Sequence, residues 1–294
     1  MEKAVYHLPG LFEFYDFYRK FLPIYREKTE YFYDWCQIGS LYGAPADCLW
    51  AGGRVSTGNA DPRQVLALTE EYGLSARLTF SNSLLCPEHL KDPKCNRLCA
   101  LFGAEPGNGV IVHSELLLAY LKEKYPNFYF VSSTTKVLTD FEDLAAETER
   151  PDFRYVVPDF RLNKAFDRLA GLKEKRKVEF LCNECCWPGC RERKACYENV
   201  SRKNLGERCP DHICAAPEGE KGYRFSAAMK NPAFIGIRDI RETYLPMGFS
   251  QFKIEGRGLG SAMLLEFILY YLTKPEYQLP LREEMYLDSM LDLF

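Results

Sequence analysis

The chain has no apolar run long enough to cross a membrane: the longest, residues 262–272, is interrupted by Glu266 and falls short of the ~20 residues that a spanning helix needs. No membrane insertion is expected. Nor is there an excess of one charge. The 38 Lys and Arg stand against 41 Asp and Glu, a net −3, which excludes a general pull toward nucleic acid. Basic runs at 173–177, 191–194 and Arg202-Lys203 are local and read as solvated helix faces, able to touch phosphate only if they line one opening. Repeats and low-complexity tracts are missing as well. The sequence also lacks a phosphate-binding glycine loop, a Gly-x-Ser-x-Gly elbow, a His-Glu-x-x-His helix and a radical-type Cys-x3-Cys-x2-Cys run; Gly52-Gly53 alone reads as a turn. The opening residues Met1-Glu2-Lys3-Ala4-Val5-Tyr6-His7 contain no apolar signal core, so a cytoplasmic location is expected.

What is present is enough apolar material for a large core: 294 residues, 47% hydrophobic and 14% aromatic. Short β-rich segments at 5–8, 47–50, 76–80, 109–112, 128–131, 154–157, 178–181 and 252–254 are followed by helix-like stretches, among them 13–25, 116–124, 140–148, 163–175 and 261–272. One helix is announced by Asp61-Pro62, an N-cap with proline in the first turn. Eight strand–helix units over this length predict an α/β fold, a (β/α)8 TIM-type barrel forming one domain over 1–294, with a doubly wound open sheet as the alternative. The long irregular stretch 185–235 reads as a cysteine-rich, metal-binding insertion before the last strand.

In such a barrel, chemistry collects where the strands end. The expected strand ends are polar: Ser81-Asn82-Ser83, His113-Ser114-Glu115, the stretch 132–136, Asp159-Phe160-Arg161, Asn183-Glu184 and Glu255-Gly256-Arg257. Side chains alternate along a strand. With Phe252 and Ile254 toward the helices, Lys253, Glu255 and Arg257 face the lumen; with Val178, Phe180 and Cys182 outward, Asn183 faces it too. Asn183, Glu255 and Arg257 are therefore the candidate catalytic or substrate-positioning residues, unless Lys253, Glu255 and Arg257 form a purely structural network. Glu115 and Glu184 are candidate acid–base groups.

Seven of the twelve cysteines lie from Cys182 to Cys214, on a segment broken by Pro188 and Gly189. In a reducing compartment such crowding suits metal or iron–sulfur ligation better than disulfides. Cys186 and Cys190 form one short bite and Cys209 and Cys214 another, which together can close a four-thiolate site. Cys185 and Cys196 are alternates, and His212 is a further candidate ligand. Zinc would accept the same four thiolates. Cys182 reads as packing, as do Cys95 and Cys99, one helical turn apart.

The run Phe252-Lys253-Ile254-Glu255-Gly256-Arg257, together with the strand-then-cysteine segment 178–196, resembles the signature of the collagenase-like peptidase family. Its members include iron–sulfur proteins that hydroxylate tRNA and rRNA cytidines and anaerobic ubiquinone hydroxylation factors. The resemblance implies a barrel with a four-cysteine cluster at its mouth and an oxygen-insertion or related redox role. On that basis Cys186, Cys190, Cys209 and Cys214 are expected to hold a 4Fe–4S cluster, with zinc as the alternative. The implied function is an iron–sulfur-dependent redox enzyme that hydroxylates or similarly modifies a small molecule or RNA. Its alternatives are a non-catalytic barrel working with a protein partner and a peptidase-like hydrolase. The chain departs from the family pattern in the tight crowding of its cysteines, and no further C-terminal domain of the kind longer members use for RNA is expected.

Overall fold

The computed structural model describes residues 3–53, 58–217 and 225–291. Eight parallel strands form one sheet: β1 (Ala4–Pro9), β2 (Cys36–Gly43), β3 (Ser75–Phe80), β4 (Gly109–Val112), β5 (Tyr129–Ser132), β6 (Phe153–Val156), β7 (Glu179–Leu181) and β8 (Gln251–Lys253). The order is β6-β5-β4-β3-β2-β1-β8-β7. A parallel bridge between Val156 and Val178 joins its two ends, so the sheet curls into a nearly closed barrel. Helices fill the crossovers: α1 (Tyr15–Glu27), α2 (Pro62–Glu71), α3 (Pro93–Phe102), α4 (Glu115–Lys124), α5 (Phe141–Glu149) and α6 (Phe166–Ala170). The expected (β/α)8 barrel is therefore the observed architecture.

Local chemistry accounts for the helix starts. The Asp61 carboxylate accepts from the Arg63 and Gln64 amides and Asp140 from those of Glu142 and Asp143, while Ser114 caps α4 through the Leu117 amide, satisfying N–H groups the first helical turn leaves open. Alternation accounts for the two packing layers. Val110, Val112, Phe130, Val156, Phe180, Phe252 and Ile254 meet the helices in the main core. Tyr42, Ile111, Val131, Val157 and Leu181 form a second apolar cluster, which the opposite parity places in the lumen.

Two expectations are corrected. The second strand is Cys36–Gly43, not 47–50. Its glycines and serine disguise it, and Gly39 is there for space: a Cβ would lie 2.4 Å from a Val5 methyl of β1. Residues 163–175 do not form one helix. Asn163 turns its amide to the carbonyls of Leu181 and Ala233, and α6 ends at Ala170 before Gly171.

Between β7 and β8 the chain is not wholly irregular. It forms α7 (Arg193–Asn204), α8 (Phe225–Ala228) and α9 (Ile237–Asp239); residues 218–224 of the expected insertion lie outside the described residues. After β8 follow α10 (Ser261–Tyr271) and α11 (Gln278–Leu291). Buried residues stud most of α10, from Leu264 to Tyr271, because the barrel covers one side and α11 packs on another. No described helix is long and apolar enough to cross a membrane.

Candidate functional site at the barrel mouth

The polar strand ends meet at the C-terminal rim. Tyr42, Thr79, Ser81, Ser133, Thr134, Thr135, Lys253, Glu255 and Arg257 line a small cavity there, with Gly53 and Ile111 beside them and Tyr197 of α7 closing it. Its volume is about 20 Å³, room for about one water. The Thr79 and Thr134 hydroxyls and the Arg257 Nε are buried with no hydrogen-bond partner among the described residues. Gly53 adopts φ +73°, where even a Cβ would come within 3.1 Å of the Arg257 guanidinium, so this turn closes tightly over the charge.

Lys253 is 4% exposed, Glu255 6% and Arg257 8%, and the parity argument placed all three correctly. The Lys253 ammonium lies 3.8 Å from the centre of the Tyr42 ring and Arg257 Cζ 5.6 Å from it. The Tyr42 hydroxyl donates to the Ile254 carbonyl at 2.6 Å, fixing the ring between them. Asn183 also sits at the rim, but its amide is occupied: Nδ2 donates to the Glu255 carbonyl and Oδ1 accepts from the Glu255 amide. It positions Glu255 by clamping its backbone.

Deeper in the lumen lies a charge network that the sequence reading did not identify. Arg77 donates to Glu179 at 2.5 Å and through Nε to the Tyr129 hydroxyl. Lys253 reaches the other Glu179 oxygen at 3.4 Å, and His7 lies 3.5 Å from Glu179 while bonding Ser40 and Gln251. Burial favours a neutral Glu179, but Arg77, His7 and Lys253 overcome it and hold the pKa at about 2. Burial, then the Arg77 charge, lowers His7 to about 3. Burial lowers Lys253 to about 8, with Arg77 and Arg257 opposing the attraction of Glu179 and Glu255. The signal was present: Arg77 and Glu179 are the charged residues at lumen-parity positions of β3 and β7.

The roof is α7, a 12-residue helix about 18 Å long. Arg193, buried near its start, donates to Glu184 at 2.7 Å and lies 3.5 Å from Asp159. At its other end Ser201 bonds the ends of β3 through Asn82 and Ser83, and Asn204 donates to the Ala51 carbonyl. It thus crosses the mouth from the β6–β7 side to the β2–β3 side. Glu184 is an anchor for this roof, its second oxygen taking the amides of Cys185 and Cys186. Glu115 is not in the mouth. It lies in the first turn of α4, paired twice with Arg150, and that bond, aided by Lys136, lowers its pKa to about 2.

One further set at the rim has hydrolytic residue types. His113 Nδ1 is 2.8 Å from the Thr135 hydroxyl, which itself donates to Ser133. Which of His113 and Thr135 donates in this contact follows from the imidazole tautomer.

None of the twelve cysteines is joined in a disulfide. Cys95, Cys99 and Cys182 are buried as expected, with Cys95 3.3 Å from Cys48. Cys186, Cys190 and Cys209 are partly exposed and Cys185, Cys196 and Cys214 exposed. The Cys190 carbonyl is held by Arg161, and the Cys209 sulfur accepts from Asn199 of α7. His212 lies 3.4 Å from Glu192. Among the described residues no three His, Cys, Asp or Glu gather into a group able to hold a metal ion, so Cys186, Cys190, Cys209 and Cys214 do not form a preassembled site.

Comparison with solved structures finds the same fold in the U32 peptidase Mk0906, with a TM-score of 0.54 and 14% identity over 86% of this chain and 92% of that one. The similarity read from the sequence is thus matched by the fold. No protein-family model matches the chain, and no curated protein matches it by sequence.

Proposed function

We propose that the chain is an enzyme whose barrel mouth binds and modifies a small polar substrate beneath α7, with Lys253, Glu255 and Arg257 contacting it and Asn183 positioning Glu255. The observation that carries this reading is the convergence of buried polar groups on one cavity. The Thr79 and Thr134 hydroxyls and the Arg257 Nε lack protein partners among the described residues, and leaving each unmatched costs about 1–3 kcal/mol. A bound polar molecule would satisfy them. The test is a thermal-shift panel of small polar and anionic compounds on wild type, Glu255→Gln and Arg257→Ala. Compounds that raise the wild-type melting temperature and not that of the folded variants support the reading. A panel that shifts none of them, or all three equally, overturns it.

The redox part of the reading is iron–sulfur-dependent hydroxylation or a related modification. It rests on the Cys186/Cys190 and Cys209/Cys214 spacing and on the sequence resemblance. The four sulfurs are in no disulfide and at least partly accessible, and they flank the roof helix on both sides. Ligation by all four would require those flanks to close together. Anaerobic purification followed by iron and sulfide analysis is the test: a brown protein with both elements supports a 4Fe–4S cluster. Stoichiometric zinc supports a structural site, and the loss of both metals from folded protein overturns ligation. The hydrolase alternative rests on the likeness to a U32 peptidase structure, which at 14% identity carries the fold alone.

A further inference from the structure

Two carboxylates, Glu179 and Glu255, and two guanidinium groups, Arg77 and Arg257, act on the Lys253 amine in the lumen. Glu179 is committed to Arg77 at 2.5 Å, and Lys253 is left 3.4 Å from the remaining oxygen. The amine borders the mouth cavity together with Thr79, Ser81 and Arg257. Lys253 and Arg257 both lie within 6 Å of the Tyr42 ring centre, at 3.8 and 5.6 Å, close enough to address neighbouring atoms of one small molecule.

We propose that Lys253 is a nucleophile that captures the carbonyl carbon of a 2-oxo acid at the barrel mouth, while Arg257 holds the acid's carboxylate. The proposal rests on the mouth being the substrate site and is independent of the cysteine segment. In the step, the neutral amine adds to the carbonyl carbon, a C–N bond forms, and the carbonyl electron pair moves to oxygen, which takes a proton. Nitrogen gives up one proton to reach the carbinolamine; the hydroxyl takes a second proton and leaves as water, nitrogen gives up its other proton, and C=N forms; nothing is oxidised or reduced. A guanidinium fork matches a carboxylate in geometry and charge. The groups facing the amine are His7, Tyr42, Arg77, Glu179, Glu255 and Arg257. Their net effect, with burial, is to bring Lys253 down to about 8, so a useful fraction is uncharged near neutral pH. The cavity has the volume of about one water, so entry requires Tyr197 and α7 to lift.

The experiment incubates the full chain with pyruvate or glyoxylate and sodium cyanoborohydride, which reduces an imine to a stable secondary amine, and maps the modified peptides by mass spectrometry. The expected result is modification at Lys253 ahead of the surface lysines, with a rate that rises with pH to a midpoint near 8 and increases in Tyr197→Ala. Propanal, which has no carboxylate, serves as the second probe. Arg257→Gln, checked for fold by circular dichroism, should raise the 2-oxo acid concentration for half-maximal labelling by about tenfold or more, whereas propanal labelling should slow only as far as loss of the Arg257 charge raises the Lys253 pKa, an effect that disappears when the two proteins are compared at a pH above that pKa. Equal labelling of wild type and Arg257→Gln by pyruvate overturns the role of Arg257. If pyruvate raises the wild-type melting temperature but Lys253 stays unlabelled in wild type and Tyr197→Ala, the nucleophile is overturned and the mouth site stands. With neither a shift nor labelling, the 2-oxo acid proposal fails, and the mouth site is decided by the wider compound panel.

Discussion

Asn183 and Glu255 are joined back to side chain at the top of the barrel: the Asn183 amide donates to the Glu255 carbonyl at 3.0 Å and accepts from its N–H at 2.7 Å. The pair carries the β7–β8 connection beyond the last backbone bond, from the Cys182 amide to the Lys253 carbonyl, and it fixes where the Glu255 carboxylate starts.

Asn183→Ala should therefore lose stability, because both Glu255 backbone groups are left buried without this partner. The expected cost is about 2–5 kcal/mol, read as a lower denaturation midpoint with an unchanged slope. A loss below about 1 kcal/mol would show that the clamp is dispensable.

Stability should depend on acid through the buried histidines. His7 is held at about 3 and His113 at about 4, against an ordinary 6.5, chiefly by burial. Below pH 6.5 the unfolded chain binds protons that the folded chain refuses, so stability rises with pH from about 3 to 6.5 and falls as acid is added. Glu179, held at about 2 against 4.5, acts in the same direction: its contribution is full above 4.5 and is lost as pH falls toward 2. Melting curves from pH 7 to 4 should show a shallower fall in His7→Gln than in wild type. Parallel curves would mean that His7 is not the group responsible.

The two candidate acids should behave oppositely. Glu115 is 59% exposed beside Arg150, and Glu115→Gln should cost under about 1 kcal/mol. Glu184→Gln takes the close charge partner from buried Arg193 and should undock the start of α7. Limited trypsin digestion checks this: early cleavage between Arg191 and Lys203 is expected in Glu184→Gln and not in Glu115→Gln. Equal resistance in both would show that the Glu184 bond does not hold the roof.

Serine at Cys186, Cys190, Cys209 or Cys214 should in each case abolish retention of iron and sulfide in anaerobically prepared protein, and serine at Cys95 or Cys99 should not. Full metal content in two of the four ligand variants would move the site to Cys185, Cys196 or His212.

The sequence by itself determined what depends on near neighbours. Alternation along 252–257 and 178–183 told lumen from helix side for Lys253, Glu255, Arg257 and Asn183, and capping chemistry placed the start of α2 at Asp61-Pro62. It also isolated the packing thiols Cys95, Cys99 and Cys182. It misplaced β2, because Gly39 answers to a Val5 side chain on another strand and not to its own neighbours. Only the tertiary structure decided that Arg77 and Glu179, 102 residues apart, neutralise each other across the lumen and leave Lys253 the less closely paired cation. The same holds for α7, a largely polar helix whose face carries no strong local pattern and which roofs the mouth through Arg193, Ser201 and Asn204. A strand's parity is fixed by its own backbone, but a charge's partner and its pKa are set by what barrel closure brings within a few ångströms in a place water has left.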